Sequence, residues 1–335
     1  MMRLMKFIFI LSTLIFSIGS KAQDIHFSQF FHAHYNLNPG LTGAFDGDYR
    51  FAGIQRTQWR SVTVPYSTFG IAADMVLPNK SSGAGLFIMQ DKTGDSRFKT
   101  TRIEPAASIT LPVGADSSHR ISIGLQLSLS HKSIDYSDLY FDNQYNGFSY
   151  DPGINPNESF SRDAMTYFDM HLGAAWRYGK KGEKQYEAGL AFFNLLGPDQ
   201  GLFDEKIALD TRINLHGTAV IPIDADWELM PSLLFASQGK YKEFILGGAG
   251  KRIIEDRAGI YRTVFGGMYF RTRDAGFIMA GLDYDQWKAA LSYDINLSEL
   301  RPASNGRGGF ELSVIYIMRS FKPIDIQKRI CPEYL

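Results

Sequence analysis

From Trp287 to Asn296 the chain alternates strictly. Trp287, Ala289, Leu291, Tyr293 and Ile295 take one parity, and Lys288, Ala290, Ser292, Asp294 and Asn296 take the other. Phe310, Leu312, Val314, Tyr316 and Met318 repeat the pattern, as do Ile121/Ile123/Leu125/Leu127/Leu129 and Phe168/Met170/Leu172/Ala174/Trp176. A period of two puts one face in an apolar medium and the other in a polar one, which is the signature of β-strands. Such runs recur at 49–60, 66–77, 82–92, 97–111, 119–132, 163–178, 184–196, 209–222, 226–237, 241–251, 257–271, 274–285, 287–296 and 308–320. That is about fourteen strands, an even number, each long enough at ~10 residues to cross a bilayer when tilted. The pattern predicts an all-β fold, an antiparallel transmembrane β-barrel in an outer membrane.

Connection lengths predict its orientation. The three longest, about 133–162, 197–208 and 297–307, follow strands 5, 7 and 13, so all lie on one rim. Pro78-Asn79-Lys80 and Gly179–Glu183 are short and lie on the other. Outer-membrane barrels keep short turns in the periplasm and long loops outside, so both termini are expected on the periplasmic side.

The first residues set the compartment. Arg3 and Lys6 precede an apolar run from Phe7 to Ile18, and Ser20-Lys21-Ala22 is a small-x-small cleavage pattern. This is a cleaved signal peptide over 1–22, with the mature chain starting at Gln23. Removing Arg3, Lys6 and Lys21 leaves 35 − 3 = 32 basic against 35 acidic residues. Nothing in that balance calls for nucleic acid. With Cys331 alone there is no internal disulfide framework. No later stretch reaches ~18 consecutive apolar residues, which excludes transmembrane helices. Residues 23–48 do not read as strand. They are rich in Gly, Asn, His and Phe, with a turn at Asn38-Pro39-Gly40. Phe27, Phe30, Phe31 and Tyr35 need cover, so this segment is read as a plug or a periplasmic piece. The barrel then runs over 49–321, and a tail over 322–335 follows in the periplasm.

Candidate chemistry adds little. His26, His32 and His34 cluster, but a zinc site wants convergent ligands, and plain hydrogen-bonded polar residues explain the spacing; no metal and no cofactor are expected. Asp142-Asn143-Gln144-Tyr145-Asn146-Gly147 opens like a calcium loop, yet the twelfth position is Gly153 rather than an acidic residue. There is no GxSxG, Walker loop or HExxH, and His216 has no evident nucleophile beside it, so the chain is not expected to be an enzyme. Arg50, Arg56 and Arg60 share a face that cannot meet lipid cheaply, at ~2–4 kcal/mol per Arg at the midplane. They are expected to point to the lumen or rim and to pair with lumen carboxylates such as Asp74, Asp169 or Asp294, in preference to a substrate-selecting role.

The mature start, QDIHFSQFFHAHYNLNPGLTG followed by YRFAGIQRTQWRS, resembles the N-terminus of the PorP/SprF family, whose start reads Q-D-x-x-F-S-Q-Y, then N-P-A, then R-x-Q-W. INLHGTAVIPI, LMPSLLF, RTRDAGFIMAGLDY, LSYDINLSEL, GGFELSVIYI and the CPEYL end are similar to its later blocks. Gly40 replaces the usual Ala, and Thr57 the usual Asn. The resemblance spans the mature chain. It implies an outer-membrane component of the type IX protein secretion system of Bacteroidetes, also linked to gliding motility. The partners it implies are a periplasmic ring lipoprotein and its partner, a peptidoglycan-binding lipoprotein, and a secreted adhesin with a C-terminal sorting domain. The family-motif residues Phe27, Gln29, Asn38, Arg56, Gln58 and Trp59 are the candidate binding positions, with fixing the plug inside the barrel as the competing role for each. The alternative function is a porin-like channel for small solutes.

Overall fold

The computed structural model describes residues 25–319 apart from 61–63, 80, 95–96, 115–117, 137–138, 155–161, 181, 203–205, 258 and 299–300. The expected signal peptide and the tail over 322–335 lie outside the described residues.

The alternating runs form the strands β1 (Tyr49–Gln58), β2 (Tyr66–Val76), β3 (Ser82–Thr93), β4 (Phe98–Val113), β5 (His119–Ser133), β6 (Ala164–Tyr178) and β7 (Gln185–Phe193). They continue through β8 (Arg212–Pro222), β9 (Trp227–Gln238), β10 (Tyr241–Arg257), β11 (Ile260–Arg271), β12 (Ala275–Tyr284), β13 (Trp287–Asn296) and β14 (Arg307–Met318). Each strand pairs antiparallel with its sequence neighbours, and β1 closes on β14 in one barrel. The closing register sets Tyr49 opposite Met318 and Thr57 opposite Phe310. Closure removes free sheet edges, as lipid requires, because an unpaired backbone group has no water there.

The predicted strand edges agree closely with these bounds except at β10. There the charged stretch Lys251 to Arg257 continues the ladder with β11 beyond the last β9 pair, Arg252 with Trp227, through a register shift between Ile253 and Glu255. Hydrophobic alternation stops where the lipid stops, whereas backbone pairing does not, so the ribbon outruns the pattern.

Outward residues form layers. Tyr49, Phe51, Trp176, Tyr186, Trp227, Tyr284 and Trp287 are exposed near the rim of the short, even-numbered connections. Phe69, Phe168, Phe192, Phe244, Phe270, Tyr293 and Phe310 are exposed toward the other rim. Ile71, Leu86, Ile123, Leu125, Leu172, Leu190, Leu215, Leu246 and Ile278 lie between them. An aliphatic band between two aromatic belts is the surface that fits a bilayer. The long connections around 134–163, 194–211 and 297–306 share the rim of the phenylalanine belt, which is the outer side.

Residues 25–48 contain only a short helix, α1 (His34–Leu37), and a 3-10 turn at Pro39–Leu41; α2 (Arg301–Ser304) lies in the last outer loop. Polar or close contacts tie 25–48 to β1 through β8, β10, β11, β13 and β14. Contacts to strands all round a closed ring can be made only from within it. The path is also directional. Ile25 and His26 lie by Arg212 and Glu243, at the outer ends of β8 and β10. The Asn38–Gly40 turn sits at mid-height, and Asp48 meets Met318 and Val76 at the inner rim. The expectation that both chain ends sit on the periplasmic side therefore changes for residues 25 and 26. The chain descends the lumen before entering β1, a course no local pattern encodes.

Candidate functional site: the barrel interior and the outer loops

The interior combines apolar patches, where Phe87, Met89, Ile245, Phe265, Phe277 and Met279 pack with residues of 25–48, with many polar side chains. In its outer half these groups form one network. Arg56, 1% exposed, donates from Nη1 to Glu311 Oε2 (2.9 Å) and from Nη2 to Asp294 Oδ2 (2.9 Å). Arg271, 0% exposed, reaches Asp274 Oδ2 at 2.8 Å and Asp294 Oδ2 at 3.4 Å, with Glu243 at 3.8 Å. Two guanidinium groups thus face four carboxylates. The backbone N–H groups of Ser28 and Gln29 donate to Glu311 at 2.9 and 2.7 Å, adding partial positive charge from the segment. Ser28 Oγ donates to Asp294 and accepts from both Arg56 and Arg271. Buried charges are tolerated when paired and hydrogen-bonded in this way, and removing one partner is costly.

Gln29, fully buried, uses both ends of its amide. Nε2 donates to Ser292 Oγ and the Glu311 carbonyl, and Oε1 accepts from Ser313 Oγ at 2.6 Å. His32 Nδ1 lies 2.8 Å from Ser313 Oγ and 3.0 Å from Gln29 Oε1. Burial holds the His32 imidazole well below its ordinary pKa. His34 Nε2 approaches Asp74, which also holds Arg50 at 2.7 Å. His26 faces Glu243. The three histidines that clustered in sequence therefore turn to three different strands.

At mid-height the turn Asn38-Pro39-Gly40 is seated on glycines. Asn38 Oδ1 accepts from Gly40 N at 2.8 Å, and Nδ2 donates to the Ala174 carbonyl at 2.9 Å and to the Leu190 carbonyl at 3.4 Å. Nδ2 also lies 3.1 Å from His216 Nε2. A Cβ on Gly124 would overlap the Pro39 carbonyl, and one on Gly173 would overlap Asn38 Oδ1. These two inward glycines give the turn its room, the close-approach role of glycine in a strand. Nearer the inner rim Gly43 N donates to Asp74, and Ser108 Oγ donates to the Thr42 carbonyl at 2.6 Å.

The six family-motif positions separate into groups. Gln29 and Arg56 meet through Glu311. Phe27 is buried in an apolar cluster with Tyr35, Ile54, Phe87, Met89 and Ala106. Asn38 belongs to the glycine seat, facing β6 to β8. Gln58 ends β1 at the outer rim. Trp59 follows it at φ 57° with its ring 5.0 Å from Tyr66, away from the network. Of the suggested pairings, Arg50–Asp74 and Arg56–Asp294 form. Asp169 instead accepts from the Met170 and Leu196 N–H groups. Ser28, Glu311, Arg271 and Gly173 were missed. Parity alone marks Glu311 and Arg271 as inward charges, but pairing them with Ser28, 283 and 243 residues away, needs closure of the barrel.

The type IX secretion system membrane protein family PorP/SprF matches residues 19–316. The chain belongs to this family. It is accordingly an outer-membrane component of type IX secretion. No protein of curated function matches it. Among solved structures it is similar to the Pseudomonas putida toluene transporter TodX, with 10% identity, 89% of this chain and 95% of that one covered, and a TM-score of 0.49. A Pseudomonas aeruginosa FadL homologue matches at 11% identity, with 83% and 92% covered and a TM-score of 0.45. BamA from Haemophilus ducreyi lacking POTRA domains 1–3 matches at 10%, with 81% and 70% covered and a TM-score of 0.40. At such identities the likeness is one of barrel architecture.

Proposed function

We propose that this PorP/SprF protein acts by binding, without turnover, as a closed outer-membrane anchor of the export machinery. In this reading residues 25–48 serve as a plug. The outer loops 133–162 and 197–208 hold a secreted adhesin carrying a C-terminal sorting domain. The inner rim, with residues 43–48 and the tail over 322–335, engages the periplasmic ring lipoprotein and its partner, or a peptidoglycan-binding lipoprotein. Service to gliding motility follows if the adhesin is a motility adhesin. The supporting observation is the seating of 25–48 against strands around the ring, with Ser28 and Gln29 fully buried. A barrel filled by its own chain is suited to holding and linking rather than to free diffusion. The same seating weighs against the small-solute channel.

The test is a crosslinked pull-down of tagged protein from outer membranes, with the co-purifying chains identified. Recovery of a ring lipoprotein, a peptidoglycan-binding lipoprotein or a large sorting-domain adhesin is expected. A lone barrel that conducts steadily in planar bilayers would overturn the proposal in favour of the channel.

A further inference from the structure

The outer loop between β5 and β6 does not lie flat. Residues Gln144 to Asp151 form a small hairpin closed by a Tyr145–Tyr150 bridge and by Asp151 N donating to the Gln144 carbonyl at 2.8 Å. Its base is braced by buried Gln144, which accepts from Phe141 N and donates to the Ile154 carbonyl. Its tip is fixed by Asn146 Oδ1, which accepts from the N–H groups of Phe148 and Ser149, and by Gly147 at φ +94°. The braced tip holds Phe148 out at 96% exposed, with Tyr145 at 59% and Tyr140 at 77% beside it. Tyr140 packs edge-on against Tyr150 with centroids 4.6 Å apart. Exposed leucines on the barrel wall meet lipid, but Phe148 stands on a loop, where a large apolar side chain in water is the informative exception. Rigid aromatic anchors are also the residues that dominate interface energies, since little entropy is lost on docking them.

The charge around the tip selects the partner. Among the described residues of this loop Asp135, Asp142, Asp151 and Asp163 are acidic and Arg162 is basic. Asp142, at the foot of the hairpin, is exposed. A second copy of the same acidic loop would be repelled, and so would the anionic headgroups of a lipid surface. Resting on the export reading above, we propose that the Gln144–Asp151 hairpin is a docking tip for the exported protein, taking a segment that offers an apolar pocket for Phe148 flanked by Lys or Arg.

The test uses whole cells of the natural host. A null strain first identifies, by its loss from the cell surface, the protein whose export needs this barrel. The double variant Phe148→Ala with Tyr145→Ala, and separately Asp142→Lys, are then compared with wild type at equal barrel abundance and equal heat-modifiability on gels. Surface display of that protein is expected to fall about tenfold or more in each, the scale of losing a hot-spot aromatic. A benzophenone side chain at position 148 is expected to form an adduct with that same protein at a peptide containing Lys or Arg. In isolated outer membranes the adduct should weaken from roughly 0.1 to 1 M salt, as the Debye length falls from about 10 to about 3 Å. Full display in both variants, or an adduct with lipid or a second barrel, overturns the docking tip while leaving the export reading intact. A null strain that loses no surface protein overturns the export reading and the docking tip together.

Discussion

Placing one methyl group at Gly173 should unseat the lumenal segment without opening the barrel. The ideal Cβ there overlaps Asn38 Oδ1 and lies 2.8 Å from Pro39 Cδ, so either the turn or β6 must move. β6 is held on both sides, by β5 across its length and by β7 from Leu172 to Tyr178. The turn should therefore yield. Overpacking of this kind costs about 1–3 kcal/mol. Displacing Asn38 also weakens its bonds to Gly40 N and the Ala174 carbonyl, at about 0.5–1.5 kcal/mol each. A combined loss of about 3 kcal/mol raises the unseated population by a factor of about a hundred. The reporter is a cysteine replacing buried Leu37, in a Cys331→Ser background, with maleimide labelling in detergent. Labelling of such a site tracks the open population. Gly173→Ala should accelerate it about a hundredfold, and Gly124→Ala should act in the same direction, since its Cβ meets the Pro39 backbone. Gly53→Ala, whose Cβ meets nothing within 4 Å, should leave the rate unchanged. All three should migrate as folded barrels on unheated gels. Equal labelling in Gly173→Ala and Gly53→Ala would refute the reasoning.

Other perturbations probe the same interior. Arg56→Met leaves Glu311 and Asp294 without their nearest cation and should destabilise the barrel by about 3–5 kcal/mol, read as a lowered urea midpoint. A midpoint within error of wild type would remove the network from the stability account. His32, held neutral by burial, takes its proton in the unfolded chain first. Stability is therefore full above the ordinary value of 6.5 and is lost as pH falls from there toward the depressed folded value. Urea midpoints from about pH 7.5 to 5 should fall, and His32→Gln should flatten that slope. For topology, a cysteine replacing Ile25 should react with an impermeant maleimide on intact cells, whereas one replacing Asp46 at the inner rim should react only after the outer membrane is opened. The reverse pattern would invert the assigned path.

Alternation along the chain was enough to determine the architecture. Lipid outside and a largely polar lumen inside impose a period of two, which β5, β6, β13 and β14 carry plainly, while β3 and β12 run apolar on both faces where Phe87, Met89, Phe277 and Met279 pack with residues of the segment 25–48. Loop lengths told the rims apart for the same reason, since each is a property of a contiguous stretch. The inward parity of Arg50 and Arg56 was legible too, because a charge at that spacing cannot face lipid. What the segment 25–48 does with its polar atoms was not legible. Ser28 finds Asp294, Asn38 finds the Ala174 carbonyl, and Gly43 finds Asp74 only because closing β1 on β14 brings distant strands around one short stretch. Gly124 and Gly173 looked like strand glycines, and only the turn lying against them explains why no side chain is tolerated there. Local periodicity reports which medium a residue faces. Which partner it meets across the lumen is decided by closure, and closure is a property of the whole ring.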